Sequence, residues 1–519
     1  MIRLTFLLVL TSMFSLQAFA QHDHDRGVCG TNEIDIERTK ANIAYAKANP
    51  LQSRMTTYVP IRFHLIGESD GTNAVSPNNV LDLMSAINVD FAAYDVKFFL
   101  EDGDGDVWDY TYDDRIYGDH ASFLPFMRSV KSTNAITIFV PNTATPPNSS
   151  GLGVTLGYYS PSEDWLVFKK SEVSGNASTA THEIGHYFSL PHTFRGWDCT
   201  SWTGTTNDNG FATSPVTITS ANFCSSSGVQ IELVSRGTDG NCATAADLFC
   251  DTPADYNLGF GWDDCEYTGG VQDATGTPLE PAENNFMGYF IDCNPYEFSP
   301  EQIATVTADM ASNGRNFLRG TTPTTTTDIV DEIAFNSPAD GASTFYSDRV
   351  TIDWENTPNA KYYYVEVGES RSFRTIVYTG VVSSSNLALD NLEGNKTYYY
   401  RVRAFSQVSF GDYGTIRTFR TGAVSSINAQ PEAVASMTLF PNPAAAGAST
   451  TLKIESLVGG EITLTVRDLT GRTLASAVEL VSAGDNSIDL VGLMPRVKGS
   501  YTLSISNEKG VSSQKFQVL

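Results

Sequence analysis

The pattern of apolar and polar positions predicts alternating strands and helices in the first 320 residues. Residues 58–66, 135–140 and 165–168 are short apolar runs of the kind found in β-strands. Between the first two runs, Ser76 and Pro77 are typical of a helix start, because a capping side chain is followed by proline at the first helical position. Apolar residues then recur at helical spacing, at Val80, Leu83, Met84, Ile87 and Phe91.

Helices are also predicted at both ends of this region. Residues 32–48 are polar and helix-prone, within a segment, 21–54, that is too small to form a core alone. The run from Ser299 to Gln302 reads as a capping box and predicts a helix that extends to about Leu318. Residues 194–298 are loop-rich.

After residue 320 the pattern changes to strands alone. A Thr/Pro linker occupies residues 321–330, and residues 331–423 contain alternating runs separated by turn residues. A second linker follows, and residues 437–519 again read as strand throughout. The predicted architecture is therefore multidomain: an α+β domain of α/β/α type over residues 55–320, followed by two all-β sandwich domains.

The first 20 residues read as a secretory signal peptide. Arg3 supplies the positive charge, residues 4–10 the apolar core, and Ala18 and Ala20 an A-x-A cleavage site. The apolar core is too short for a membrane anchor, and no later stretch is long enough to cross a bilayer. We therefore predict an exported chain, in a compartment where disulfides persist.

The composition excludes several classes of protein. The chain has 519 residues, 41% of them hydrophobic, which excludes a fully disordered or collagen-like chain. Its formal charge of −26 argues against sequence-independent binding to nucleic acid, because phosphate is repelled by an acidic surface. Residues 55–320 hold 34 Asp and Glu against 11 Lys and Arg, so nearly all of the charge lies in the predicted α+β domain.

The strongest chemical signal is a histidine cluster. His182 and His186 lie four residues apart, so on a helix they face the same ion, and Glu183 sits beside the first of them. His192 follows Pro191, which cannot continue the helix, and can approach the ion from another direction. Three protein ligands with an open position for water are typical of a catalytic zinc, with Glu183 as the general base. A chance pair of surface histidines is the alternative, but three of only seven histidines fall within eleven residues.

The extended motif from His182 to His192 resembles the metzincin clan of metalloproteases. The clan also has a methionine turn beneath the zinc, and Met287 stands in the matching segment. The order of His182–Phe194, the Asp251-Thr252-Pro253 segment, Met287, Asp292-Cys293 and residues 298–302 is similar to that of the pappalysin family, over roughly residues 25–320. The resemblance implies a zinc-dependent endopeptidase whose substrates are proteins or peptides.

The resemblance also implies roles for individual residues. Tyr289 is a hydrogen-bond donor to the tetrahedral intermediate, unless it only packs near the site. Asp292 lies at the bottom of the pocket for the residue after the scissile bond, where a buried carboxylate selects Arg or Lys; a turn aspartate that caps backbone N–H groups is the alternative. Ser189 departs from the clan, which usually has glycine there. Serine takes a similar conformation at a cost of about 1 kcal/mol.

Seven cysteines in an exported chain predict three disulfides and one spare thiol. Six cysteines allow 15 pairings, and among these the spacing favours Cys199–Cys224, Cys242–Cys250 and Cys265–Cys293. The family resemblance supports only the last pair, which joins the methionine-turn region to the preceding loop.

The spare thiol, Cys29, lies in the segment before the predicted catalytic domain. A thiolate is a soft zinc ligand that could fill the open position, which resembles the cysteine switch of pappalysin-type zymogens. An inert thiol and a lipid site are the alternatives, although a lipid-modified cysteine would follow the signal peptide directly. Cleavage between Ser53 and Arg54 suits a pocket for basic residues and would release Cys29.

The concentrated negative charge has two interpretations. Solvated surface carboxylates explain it without any ligand. Calcium, a hard ion that collects carboxylate and carbonyl oxygens, is the sharper hypothesis. Since pappalysins carry calcium near the Asp-Thr-Pro segment, Asp251 and Thr252 are the candidate ligands. The run of Asp102, Asp104 and Asp106 resembles an EF-hand start, but Val107 stands where glycine is needed, which argues against an EF-hand.

The two predicted β-sandwiches each resemble a known module. Leu392, Tyr398, Arg401, Val402 and Ala404 are similar to the late strands of a fibronectin type III module. Residues 439–443 (LFPNP), 468–472 (DLTGR) and 498–505 resemble the C-terminal sorting domain of the type IX secretion pathway of Bacteroidetes. The resemblance implies a secreted or cell-surface protein and the secretion machinery as a partner.

Two functions of different classes follow from these patterns. The first is a secreted zinc endopeptidase, monomeric and made as a latent precursor. The second is a surface adhesin or a glycan- or matrix-binding protein, in which the β-modules act and the zinc domain is vestigial. The intact Glu183 favours the first, because a vestigial site has no need of the base.

Overall fold

A seven-stranded, mostly parallel sheet forms the centre of the N-terminal half of the molecule. The computed structural model describes residues 27–31, 35–50, 56–102, 107–147, 154–197, 229–259, 265–347, 349–423, 434–446, 450–456, 459–507 and 510–519. The predicted signal peptide, the Ser53–Arg54 cleavage site, the cysteines Cys199 and Cys224, and the carboxylates Asp104 and Asp106 lie outside these ranges.

The α-helices within these ranges are α1 (Ile36–Ala48), α2 (Pro77–Ala92), α3 (Asp114–Gly118), α4 (Leu124–Val130), α5 (Ser178–Tyr187) and α6 (Pro300–Ala311). The strands of the N-terminal half are β1 (Gly27–Cys29), β2 (Thr57–Gly67), β3 (Val96–Leu100), β4 (Asp109–Tyr112), β5 (Ile136–Val140), β6 (Val154–Ser160) and β7 (Trp165–Phe168). Among these helices, none is long and apolar enough to cross a membrane.

The sheet has the order β1-β6-β7-β5-β2-β3, with β4 also paired to β2. Its pairs are parallel except that of β6 with β7. Strands β1 and β6 therefore run against the other five strands, and the short β1 covers the outer edge of β6. Helices α2 and α5 pack against the sheet through side chains that are fully buried, among them Leu83, Ile87 and Ile184.

The predicted α2 is confirmed, because Ser76 caps the helix by accepting a hydrogen bond from the Asn79 N–H and Pro77 opens it. The capping box of α6 is also confirmed. The predicted end of that helix at Leu318 is wrong: α6 ends at Ala311, because Ser312 has extended backbone angles, and a separate 3₁₀ segment follows at Asn313–Arg319. Helix α1 begins at Ile36, with Asp35 as its cap.

Two β-sandwiches follow the α/β domain. The first has sheets β13-β10-β8 and β12-β11-β14-β16-β9, with β15 on β14, and the second has sheets β17-β18-β21 and β20-β19-β22-β23. Their strands are β8 (Phe335–Ser337), β9 (Ala342–Ser343), β10 (Val350–Trp354), β11 (Tyr362–Gly368), β12 (Ile376–Val382), β13 (Asn386–Leu389), β14 (Thr397–Phe405), β15 (Phe410–Tyr413), β16 (Arg417–Arg420), β17 (Val434–Phe440), β18 (Thr451–Ser456), β19 (Gly460–Asp468), β20 (Thr473–Val481), β21 (Gly484–Asp489), β22 (Gly499–Asn507) and β23 (Gly510–Val518).

The first sandwich is packed directly onto the α/β domain. The Leu100 N–H at the end of β3 donates to the Gln407 carbonyl (2.9 Å), and the Gln407 amide donates to Asp102 (2.6 Å). Asp102 also accepts from the Tyr362 hydroxyl (2.8 Å) and pairs with Lys361. Phe405 is fully buried and belongs to the same apolar core as the α/β sheet. The sandwich therefore continues the core of the α/β domain.

Candidate metal centre

Helix α5 and the turn that ends it determine the direction of the three histidines. His182 and His186 lie one turn apart on the buried face of α5. After the helix, the Ser189 N–H donates to the His186 carbonyl (2.9 Å) and the Leu190 N–H donates to the Gly185 carbonyl (3.0 Å). These two bonds form a Schellman motif, whose left-handed position is Ser189 with φ of 67°.

Serine occupies a position where glycine is the usual residue, at a cost of about 1 kcal/mol. The predicted left-handed turn is thus present at the one residue where the chain departs from the clan pattern. Pro191 then ends the helical path, and His192 returns toward the first two histidines.

The Nε2 atoms of the three imidazoles converge on one point. His182 and His186 are separated by 3.0 Å between these atoms, His186 and His192 by 3.1 Å, and His182 and His192 by 3.2 Å. The Nδ1 atoms of His182 and His186 face the carbonyls of Phe286 (2.6 Å) and Leu190 (2.7 Å). Because a carbonyl only accepts, these Nδ1 atoms carry the protons, and both Nε2 lone pairs point at the same space.

This arrangement is repulsive unless a cation lies between the lone pairs. Burial lowers the pKa of His182 to about 3, and that of His186 well below its ordinary value, so both rings stay neutral. Neutral imidazole is the form that binds a metal ion. The donor set therefore fits zinc, for which ligand nitrogens at about 2.0–2.1 Å from the ion lie roughly 3.3 Å apart in a tetrahedron.

Cys29 places a fourth candidate ligand atom beside the three histidines. Its Sγ and the three histidine nitrogens all lie within 4.8 Å of one another, and this is the one such group of His, Cys, Asp or Glu in the part of the chain that the structure describes. Cys29 forms no disulfide. Burial, and then the charge of Glu183, raises the pKa of the Cys29 thiol well above its ordinary value. A thiolate at this position therefore requires a neighbouring cation.

Glu183 is fully buried beside the histidines and is held by the segment that carries Cys29. Its Oε2 accepts hydrogen bonds from the Thr31 hydroxyl (2.9 Å) and from the Tyr159 N–H (3.1 Å). Burial raises the pKa of Glu183 to about 7. A carboxyl group poised near neutrality can both accept and return a proton.

The methionine turn lies directly beneath α5. A Cβ atom at Gly185 would lie 2.5 Å from the Met287 sulfur, so only glycine between the two histidines allows this close approach. The turn also supplies the Phe286 carbonyl that orients His182, and the Met287 carbonyl accepts from the Thr193 N–H (3.2 Å). The structure thus brings the predicted methionine into contact with the predicted ligands.

Tyr289 lies close to the metal ligands. Its ring centroid is 5.2 Å from that of His192, and its hydroxyl accepts a hydrogen bond from the Cys29 N–H (3.1 Å). Asp292 does not match the expectation of a buried carboxylate: it is exposed, with a left-handed φ of 59°, next to the disulfide of Cys293. Aspartate tolerates this left-handed conformation at a turn, which agrees with the alternative of a turn aspartate.

Two residues of the site were not anticipated from the sequence. The buried Asp255 accepts a hydrogen bond from the Thr193 hydroxyl (2.8 Å), directly after the third histidine. The buried Gln302 of the α6 capping box exchanges hydrogen bonds with Asn285 at the start of the methionine turn (2.9 and 3.2 Å). Both are long-range contacts that leave no local signal in the sequence.

The loop region carries two disulfides in the described ranges, Cys242–Cys250 and Cys265–Cys293. Asp251 caps α6, with its carboxylate accepting from the Ser299 hydroxyl and from the Glu301 N–H (both 2.7 Å). Thr252 is buried, and its hydroxyl donates to Asp247 (2.9 Å).

Comparison with known proteins identifies one part of the chain. Residues 438–519 match the family of the secretion system C-terminal sorting domain. This segment is a sorting domain. It places the chain in the type IX secretion pathway of Bacteroidetes, and therefore outside the cell, as the sequence predicted.

The chain also has relatives of low sequence identity. An extracellular metalloprotease of the fungus Colletotrichum graminicola is 25% identical over 306 residues, which are 53% of this chain and 86% of the relative. An extracellular metalloprotease of Verticillium alfalfae is 27% identical over 191 residues, 32% of this chain and 65% of the relative.

Solved structures that match include fibronectin type III domains. The chicken CNTN1 FN1–FN3 crystal structure is 12% identical, with 36% of this chain and 66% of that chain covered and a TM-score of 0.15. The fibronectin type III domain derived from human KIAA0970 is 18% identical, with 19% and 77% covered and a TM-score of 0.16. The assignment of a β-sandwich to residues 335–420 is based on the two sheets that these residues form.

Proposed function

We propose that the chain is a secreted zinc-dependent endopeptidase that is made as a latent precursor. The observation that carries the proposal is the convergence of three buried imidazoles beside the buried carboxyl of Glu183. Two relatives described as extracellular metalloproteases support the reaction class.

His182, His186 and His192 would hold the zinc ion, which supplies Lewis-acid polarisation of the scissile carbonyl and makes water nucleophilic at neutral pH. Glu183, once released by Thr31, would accept the proton of the attacking water and return it to the leaving amine. The Tyr289 hydroxyl, once released by the Cys29 N–H, would donate a hydrogen bond to the oxyanion that forms on the substrate.

Latency follows from the position of residues 27–31. Strand β1 pairs in parallel with β6, and the Gly30 N–H donates to the Gly157 carbonyl (2.8 Å), so the edge of β6 is covered. An extended substrate would need the same edge, since strand addition is a common mode of peptide recognition. Cys29 at the same time completes the ligand group. Cleavage between Ser53 and Arg54 would start release of this segment.

The proposed preference for Arg or Lys after the scissile bond rests on Asp292, one residue before the Cys265–Cys293 disulfide. An exposed carboxylate can still select a basic side chain by charge, although more weakly than a buried one. Replacing Asp292 with Asn is expected to flatten the preference in a peptide-library cleavage profile, and an unchanged profile would remove Asp292 from this role.

Calcium is proposed as a structural ion near Thr252. Asp247 and Glu232 are both buried, and burial, then the charge of Glu232, raises the pKa of Asp247 well above its ordinary value. Arg236 pairs with one Glu232 oxygen (2.8 Å), and the second Glu232 oxygen has no hydrogen-bond partner among the described residues. Calcium prefers carboxylate and carbonyl oxygens and would offset this charge.

The decisive test uses the full-length precursor and its Glu183→Ala variant. The unmodified protein should process its own N-terminal segment, with a new N-terminus at Arg54, and then cleave casein or gelatin. A chelator should abolish the activity and added zinc should restore it, while Glu183→Ala should retain zinc and cleave nothing. Equal cleavage by the variant, or processing at the same site without Glu183, would contradict the proposal.

A further inference from the structure

Helix α1 contacts the Schellman turn that lies between the second and third histidines. The Asn42 side-chain amide donates to the Ser189 hydroxyl (2.9 Å), and the Thr39 hydroxyl donates to the Ser189 carbonyl (2.9 Å). Thr39 is fully buried and Asn42 nearly so. The hydroxyl and the carbonyl of Ser189, whose positive φ is unfavourable for serine, are thus both held by α1.

The same face of α1 is anchored to α6. Asp309 is fully buried and accepts from the Arg38 guanidinium (2.7 Å) and from the Asn42 amide (2.8 Å). Arg315, also buried, pairs with the second Asp309 oxygen (3.4 Å) and stacks over the Tyr187 ring at 3.7 Å. Asn42 therefore bridges α6 and the Ser189 turn, and Arg315 remains with Asp309 if α1 leaves.

The Ser189 turn is connected to two of the three histidines. Its Leu190 carbonyl accepts the Nδ1 proton of His186 (2.7 Å), and Pro191 leads directly to His192. A shift of this turn therefore moves the second and third ligands together. Glycine adopts the positive φ of this turn at no steric cost. Serine is strained in the same conformation, so contacts from another element stabilise the turn.

We propose that α1 is a detachable clamp, in which Thr39 and Asn42 position the metal ligands through Ser189. The inference rests on the proposed latent protease and adds a second attachment of the N-terminal segment, independent of Cys29. When Cys29 moves away from the histidines, the proposed active site becomes exposed while α1 stays bound. Loss of α1, after cleavage, relaxes the turn at Ser189.

The test is hydrogen exchange measured by mass spectrometry on the full-length Glu183→Ala precursor, which cannot process itself. Asn42→Ala should accelerate exchange at residues 188–191 by about fivefold, the effect of one buried hydrogen bond. In the Ser189→Gly background, the same substitution should change exchange there by less than about twofold. Lys40→Ala, on the exposed face of α1, is the matched control and should change neither.

A further variant separates the two attachments. Cys29→Ser should leave exchange within residues 36–48 unchanged, because α1 keeps its contacts with Asp309 and Ser189. Faster exchange within residues 36–48 in Cys29→Ser would contradict the proposal that α1 is attached independently of Cys29. An equal effect of Asn42→Ala with serine or glycine at position 189 would overturn the clamp.

Thr39→Val, which keeps the side-chain shape, replaces Asn42→Ala if that variant does not fold, with the same expectation for residues 188–191. Peptide hydrolysis by the unmodified protein is measured separately. A failure of the protease proposal therefore appears as missing hydrolysis, while a failure of the clamp appears in the exchange data alone.

Discussion

The Thr31 hydroxyl donates a hydrogen bond to Glu183 Oε2 over 2.9 Å, and both side chains are buried. The thiol of Cys29 is two residues away, and its sulfur accepts from the Thr31 N–H (3.3 Å). One short segment therefore lies against both the candidate metal ligands and the proposed general base. Latency in the proposed zymogen rests on Thr31 as well as on the cysteine.

Residues 27–31, with Cys29 and Thr31, are called the latch below. Thr31→Val should weaken the binding of the latch without altering any candidate metal ligand. A hydrogen bond to an ionised group contributes about 1.5–3 kcal/mol, so the open form should become at least about tenfold more populated. The measurement is the rate at which a thiol reagent labels Cys29 in the Glu183-intact, freshly purified precursor. Thr133→Val, at an exposed position, is the control. Equal labelling rates in all three proteins would remove Thr31 from the latch.

The pair of Thr193 and Asp255 should control how firmly the third histidine holds the metal. Asp255→Asn and Thr193→Val are each expected to speed zinc loss to a chelator by roughly 10- to 100-fold, the usual effect of removing a partner behind a ligand. The control is Asp239→Asn, an exposed aspartate in the same loop region. Zinc release at the unmodified rate in Asp255→Asn would show that the Thr193 contact is structural only.

The sequence predicted which three histidines come together but not the residues that surround them. The spacing of His182 and His186 is a property of one helix, and Pro191 marks its end, so local pattern is sufficient for these residues. Asp255 and Gln302 reach the site from loops and helices far along the chain, and their amino-acid types occur equally at unrelated surfaces. Only the folded chain shows that they are buried beside the ligands.

The same contrast holds for the fold. Helix α2 could be predicted because its cap, its proline and its apolar spacing agree. The end of α6 could not, since Ser312 breaks the helix where the apolar pattern continues to Leu318. The contact of the first β-sandwich with the α/β core was also not foreseen, because Phe405 and Tyr362 read as ordinary strand residues.

Acid should destabilise the α/β domain through His120. This side chain is buried against Tyr158, and burial lowers its pKa to about 4 from 6.5. The unfolded chain then binds more protons between pH 6.5 and 4, so stability falls as pH falls through that window and is unaffected above it. The loss is expected to reach about 3 kcal/mol at pH 4.

The measurement for His120 is urea denaturation of the Glu183→Ala protein from pH 7.5 to 4, compared with the same protein carrying His120→Gln. The difference between the two should change with pH only below about 6.5. Parallel curves throughout would show that other groups cause the acid sensitivity.

The first β-sandwich and the α/β domain should unfold together. Phe405→Ala removes a fully buried ring that contacts both, and is expected to destabilise the protein by about 3–5 kcal/mol. Asp102→Ala should have a smaller effect in the same direction, because Lys361 is partly exposed and the buried Gln407 amide still donates to the Leu100 carbonyl (3.3 Å). Calorimetry should show one transition for both units. Two transitions, with only the sandwich shifted by Phe405→Ala, would contradict a shared core.

Calcium should stabilise the domain that contains Asp247 and Glu232. A ligand present at about 100 times its Kd adds roughly 2.7 kcal/mol, or about 5–10 °C in unfolding temperature for a domain of this size. The Glu183→Ala protein should therefore melt at a lower temperature in a calcium-selective chelator and recover when calcium, but not magnesium, is added in excess.

Asp247→Asn should remove most of this response, because it takes a charge from the buried pair and relieves the repulsion that the ion offsets. Asp239→Asn should respond like the parent. A full calcium response in Asp247→Asn would show that the ion binds elsewhere. The absence of any response in the parent would contradict the proposal that this protein binds calcium.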